Sequence, residues 1–167
     1  MLLILLYLLG VSGKFTFNHI IKTKYTSIDN VYSIMRSKQY FDLYLKEVKA
    51  NNIKFIPIIK DKTNDTQIVS YMCKPVIGNL PISLPNSLIT QTWNYYYNNT
   101  FVGNIDTYYI NFDLNIEIKK NDTVYLDIIG CINRKIYIIP NIAIKYALYD
   151  YDNIFQKIIK QINTCNL

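Results

Sequence analysis

Glycine and proline are scarce in this chain, five of each among 167 residues. That excludes collagen-like and low-complexity architectures. Arginine is scarcer still, with Arg36 and Arg134 the whole set. Contacts to phosphates and base edges lean on arginine, so nucleic acid is not an expected partner. Cys73, Cys131 and Cys165 are odd in number and lack metal-ligand spacing. Buried free thiols are the expectation, with one Cys73–Cys131 disulfide as the alternative for a secreted domain. No HExxH, glycine-rich phosphate loop or nucleophile elbow occurs. No apolar run reaches the roughly 20 residues of a membrane-spanning helix. Neither a metal nor a cofactor is expected.

What is present points to one folded domain. Hydrophobic residues make up 50% and charged residues 18%, a globular balance, and 167 residues can bury a substantial core. Tyrosine occurs 16 times. Ile, Asn and Lys are also heavily used, and all have AT-rich codons, so genome bias explains the tyrosines better than base stacking does. The same bias devalues the Asn-X-Thr sequons at Asn64, Asn98 and Asn121. The net charge of +6 comes from scattered lysines. It serves solubility first and transient contact with an anionic membrane surface second. Leu2 to Leu9 is an apolar run followed by small residues, so residues 1–13 read as a hydrophobic leader or extension and 14–165 as a single domain. A functional leader would send the protein into the secretory pathway; otherwise it would be cytoplasmic. A monomer is expected.

Periodicity fixes the order of elements. Phe15, Phe17, His19 and Ile21 alternate with polar residues and predict a half-buried strand over Lys14 to Lys24. Thr26, Ser27 and Asp29 are candidate N-caps for a helix through Val31, Ile34 and Met35, and Ser37 for a second holding Tyr40, Phe41, Tyr44 and Leu45. Asp42 and Lys46 stand four apart in the favourable ion-pair order. Ile53 to Lys60 contains Pro57, which cannot donate a ladder bond, so that strand belongs at an edge or carries a bulge. Asp61 to Asp65 reads as a turn. Strands follow over Gln67–Pro75, Ser87–Tyr97, Phe101–Asp106, a strictly alternating run from Tyr108 to Ile118 facing inward, and Thr123–Ile136. Ile139 to Cys165 is a long helix whose Ile144, Leu148, Tyr151, Phe155, Ile158 and Ile162 form one apolar stripe. The class is α+β, a strand, two short helices, about six further antiparallel strands and a long closing helix. The stripe must lie on the sheet, which makes a container.

The entry Lys14-Phe15-Thr16-Phe17-Asn18-His19, with Ser27 to Met35 and Tyr40-Phe41, resembles the START-like superfamily, also called the helix-grip or SRPBCC fold. Thr90-Gln91-Thr92-Trp93 and the passage from Gly130 through Ile139-Pro140 into the helix resemble one START-like lipid-binding family. A sterol-binding START-like relative found in membrane-contact proteins is a second resemblance. These likenesses imply a cavity between sheet and C-terminal helix that holds a lipid, sterol or other hydrophobic molecule. On that reading Gln91, Trp93 and Tyr95 line it from one strand and Phe112, Leu114, Leu126 and Ile128 from two others. Leu148, Tyr151 and Phe155 line it from the helix, with His19 as a polar point. The connection from Val76 to Asn86 is unusually apolar, so Ile77, Leu80, Ile82 and Leu84 read as a flap over the cavity mouth.

Each of these residues has a plainer reading. Trp93 and the helical stripe also serve simple core packing. His19 has no Ser, Cys or carboxylate placed beside it in sequence, so it reads as a core or cavity residue rather than a catalyst. Asp113, Glu117 and Asp127 read as solvated surface rather than an acid/base or metal cluster. Tyr149, Tyr151, Tyr96, Gln91 and His19 are candidate polar tips among apolar walls. Binding or transfer without catalysis is therefore the expectation. The alternatives are an enzyme of the same fold acting on an apolar substrate, and a packed structural domain without a ligand.

Overall fold

The computed structural model describes residues 14–60, 64–74, 85–108, 110–134 and 141–165. Its elements are β1 (Lys14–Lys22), α1 (Ile28–Arg36), α2 (Lys38–Glu47), β2 (Asn51–Lys60), β3 (Asn64–Cys73), β4 (Ser87–Tyr96), β5 (Thr100–Thr107), β6 (Ile110–Lys120), β7 (Val124–Arg134) and α3 (Asn141–Cys165). The strands form one seven-stranded sheet in the order β1-β7-β6-β5-β4-β3-β2, with every neighbouring pair antiparallel. It is a meander from β2 to β7 with β1 added beside β7. The α1–α2 segment carries the chain from one edge of the sheet to the other.

Ser37 makes the bend between the short helices. It ends α1, where its backbone N–H and hydroxyl both donate to the Ile34 carbonyl at 3.0 and 2.7 Å. It also starts α2 by accepting from the Tyr40 amide at 3.1 Å. One residue thus sets the angle at which Tyr40 and Phe41, both buried, enter the core. Ser27 caps α1 in the same manner through the Asn30 amide. Asp42 pairs with Lys38 at 2.7 Å rather than with Lys46. Both lysines lie one turn away, and the sequence does not distinguish them.

Registers run straight across the sheet. Trp93 stands opposite Gly103, Gly103 opposite Leu114, Leu114 opposite Gly130, and Gly130 opposite Phe17. Large and small residues alternate because the rings lie over the glycines. A Cβ on Gly103 would come within 2.4 Å of the Trp93 ring, and one on Gly130 within 2.2 Å of Phe17. Pro57 lies on edge strand β2, inside a register shift between Ile56 and Ile59.

Two sequence expectations change here. Tyr108 is 69% exposed, outside the alternation that resumes from Phe112. The Thr107 hydroxyl accepts from the Ile110 amide and donates to the Ile110 carbonyl, which bends the chain at Tyr108. Asp65 is not in a turn. It is a buried β3 residue, 1% exposed, ion-paired with Arg36 at the end of α1.

Among the described side chains of α3, Phe155, Ile158, Ile159 and Ile162 are buried, the stripe that a 3.6-residue period requires. They pack with Ile21, Val31, Leu45 and Leu126 in the core. Polar contacts fix the same half of the helix. Gln156 donates to the Lys22 carbonyl at 2.7 Å, Lys157 pairs with Glu47 at 2.6 Å, and Asp152 lies 3.6 Å from His19. Among the described residues Cys73 and Cys131 are free. They occupy opposite faces of the sheet on β3 and β7, with three strands between them, so they are not placed to pair.

Candidate functional site

Among the described residues, the concave face leaves a recess over β4 and β5, beneath the helices. Its floor is Gln91, Trp93 and Tyr95 from β4 with Phe101 and Ile105 from β5. Its roof is Met35 from α1, Tyr40, Phe41 and Tyr44 from α2, and Tyr151 from α3. Unfilled space among these residues totals about 400 Å³ with the open mouth included, but only about 30 Å³ admits the centre of a water-sized sphere. That is room for one or two waters. Tyr44, Ile105 and Tyr151 are half-buried and the other lining residues are buried, so the recess opens past these three.

A polar network is set into the floor. The Gln91 amide donates to Tyr71 at 2.7 Å and to Tyr44 at 3.3 Å, and its oxygen accepts from the Trp93 indole N–H at 3.1 Å. The Tyr95 hydroxyl donates to Gln67 at 3.0 Å. Tyr95 meets Phe101 edge-on, and Phe101 stacks on Tyr32 with ring centres 5.0 Å apart. The Tyr40 hydroxyl differs from these. It is fully enclosed, with the phenols of Tyr151, Tyr44 and Tyr95 standing around it. Tyr151 acts on it most strongly of the three and shares a side-chain hydrogen bond with it.

Burial governs the charge state of these phenols. It raises the pKa values of Tyr40, Tyr44, Tyr71 and Tyr95, and it pushes Tyr151 up to about 12. All are neutral donors and acceptors near neutral pH. The described lining residues include no carboxylate, imidazole or amine, and what they offer is hydrogen bonds and apolar contact.

Of the residues nominated from sequence, the structure brings Gln91, Trp93, Tyr95 and Tyr151 together in this recess. Phe112 and Leu114 are half-buried on the same sheet face, one strand further on. Leu126, Ile128 and Phe155 are packed in the core, and His19 lies beside Asp152 at the β1–α3 contact. Tyr149 is 63% exposed, and Tyr96 accepts from Tyr32 through its backbone carbonyl. The Leu148 side chain and the proposed flap Ile77, Leu80, Ile82 and Leu84 lie outside the described residues. Asp113 accepts from Asn104 and Asn133, while Glu117 and Asp127 share Lys119. Sequence reasoning did not nominate Met35, Tyr40, Phe41, Tyr44, Phe101 or Ile105. The helical four were legible as an apolar face, but not as a roof.

Comparison with solved structures fits this geometry. The chain superposes on the crystal structure of Ara h 8.0201 with a TM-score of 0.62 and 10% identity, covering 91% of this chain and 99% of that one. The fold is a Bet v 1-like helix-grip fold. The START-like architecture read from the sequence is therefore the one observed. The crystal structure of TTHA0849 from Thermus thermophilus is more distant, with a TM-score of 0.49 and 9% identity over 88% of this chain and 92% of that one. No family model and no curated protein matches the sequence.

Proposed function

We propose that this helix-grip domain binds a hydrophobic ligand between the concave sheet face and the helices, as a carrier or receptor rather than an enzyme. The observation that carries this reading is the recess itself. The ring of Tyr40, Phe41, Trp93, Tyr95, Phe101 and Tyr151 surrounds unfilled space under α3, with polar tips set among apolar walls. Even a benzene-sized molecule needs the recess to widen, since such a guest takes a cavity of roughly 150 Å³. A lipid or sterol needs Tyr44 and Tyr151, the half-buried rings at the mouth, to turn outward. Exposing each ring costs roughly 1.5–3 kcal/mol, and each buried methylene returns about 0.8 kcal/mol. A chain of roughly four to eight methylenes would offset that opening. Transient docking on an anionic membrane during loading belongs to the same reading and draws on the net charge of +6.

One observation favours a second reading, a packed structural domain. The closed recess holds only about 30 Å³. Native mass spectrometry of the purified protein, incubated with a panel of lipids, sterols and small apolar molecules, separates the two. One-to-one adducts support a binding protein. Bare protein against the whole panel supports the packed domain.

A further inference from the structure

We propose that edge strand β2 is a membrane-docking surface, which sets its apolar side chains into the interface of an anionic bilayer. This rests on the membrane contact in the reading above and adds the surface that makes it. Ile53, Phe55, Ile56 and Ile59 are between 39% and 58% exposed, all within seven residues. Among the described residues, β1, β4, β5 and β7 expose one large apolar side chain each. Exposed apolar residues standing singly are ordinary, whereas a contiguous set marks an interaction site. The set on β2 lies on both sides of the sheet. Phe55 stands opposite Val69, a core residue, on the concave side. Ile56 stands opposite Ile68 and Ile59 opposite Thr66, on the convex side.

Geometry and charge select the occupant. A protein laid on one face of the sheet would cover one side of β2 and leave the other wet. An added strand needs a regular edge to pair with. β2 has register shifts between Asn51 and Lys54 and between Ile56 and Ile59, and Pro57 offers no N–H. A second copy paired edge to edge would also bring lysines against lysines. A bilayer interface needs no backbone register and receives both sides of the strand at once. It also matches the charge. β2 carries Lys54 and Lys60 and no carboxylate, and Lys49 is exposed in the turn before it. Nearby acids are committed, Asp65 to Arg36 and Glu47 to Lys157. Lysines complement anionic headgroups, and their long stems run beside buried apolar groups while the charge stays in water. Insertion stops at headgroup depth, where the outer backbone of the edge keeps its hydration.

Vesicle co-sedimentation of the full chain tests this, with phosphatidylcholine alone and with phosphatidylcholine mixed with phosphatidylserine. The mixed vesicles should bind the protein more tightly, and added salt should weaken that binding. Ile56→Ser combined with Ile59→Ser should lower partitioning roughly tenfold, through two side chains that no longer enter the bilayer. Lys54→Gln combined with Lys60→Gln should lower it by a similar factor. Ile20→Ser combined with Ile129→Ser, at exposed convex-face positions toward the opposite edge, should leave it unchanged. Cooperative unfolding checks that each variant is folded, and Phe55→Ser replaces the isoleucine pair if that pair fails the check. Binding that survives both β2 pairs overturns the proposal, and so does binding that falls with the lysine pair alone. A dimer in sedimentation velocity that Ile56→Ser with Ile59→Ser dissociates would make the edge a contact between copies and overturn it too. Absence of binding to either vesicle also overturns it. Ligand adducts in native mass spectrometry would still stand in that case, because the recess lies over β4 and β5 and not at β2.

Discussion

Gly103→Ala tests the packing of the recess floor at a single methyl group. The added Cβ would lie 2.4 Å from one carbon of the Trp93 ring and 2.6 and 2.8 Å from two others. The indole has little freedom to retreat. It is 7% exposed, and its N–H is held by Gln91 at 3.1 Å. Two effects oppose each other. Replacing glycine in a strand reduces the entropy of the unfolded chain and stabilises by about 0.4–1 kcal/mol. Overpacking a filled site costs about 1–3 kcal/mol. Overpacking wins, and the net loss should be about 0.5–2 kcal/mol by urea denaturation. Because Trp93 is the sole tryptophan, its fluorescence reports the displacement directly. The emission maximum should shift in the folded variant, and Trp93→Leu in the same background should recover most of the stability. A variant with parental stability and unchanged emission would refute the view that Trp93 lies pressed over Gly103.

Other consequences are as definite. Arg36→Met should cost about 3–5 kcal/mol by urea denaturation, because it leaves the Asp65 carboxylate buried without its partner. Adding Asp65→Asn should recover much of that loss, and a cost below about 1 kcal/mol for the single change would show that the pair is dispensable. Alkaline unfolding should be steep. The buried phenols have raised folded-state pKa values, so their contribution is intact below the ordinary phenol value of about 10 and is lost as pH climbs toward the folded values, about 12 for Tyr151. Each phenol that ionises only on unfolding removes about 1.4 kcal/mol per pH unit in that window. Phenolate absorbance should rise together with loss of far-ultraviolet circular dichroism. A gradual rise near the ordinary phenol value with the fold intact would contradict the burial.

Period and capping made much of this fold readable. The inward faces of β1, β4 and β6 follow from strict alternation, because a strand places successive side chains on opposite faces. The buried stripe Phe155, Ile158 and Ile162 follows from the helical repeat, and Ser37 announced the joint between the short helices. Asp65 was unreadable because its partner Arg36 arrives from a helix on another part of the chain. In a polar run such as Asp61 to Asp65, charge alone suggests solvent. Tyr40 and Tyr44 were visible as one side of a helix, but whether that side closes on a filled or an unfilled space depends on side-chain volumes from several elements at once. The outward turn of Tyr108 depends on the local hydrogen bonds of Thr107, which interrupt a pattern that was otherwise regular through Ile118.

Blocking the recess tests the central claim most directly. Ile105 lies on its floor, half-buried, between Gln91 and Phe112. Ile105→Phe should fill the opening while a cooperative unfolding transition is retained. Isothermal titration with a hydrophobic ligand found by native mass spectrometry should give one site per chain in the parent and none in the variant. Equal binding in both would place the ligand elsewhere and contradict the account.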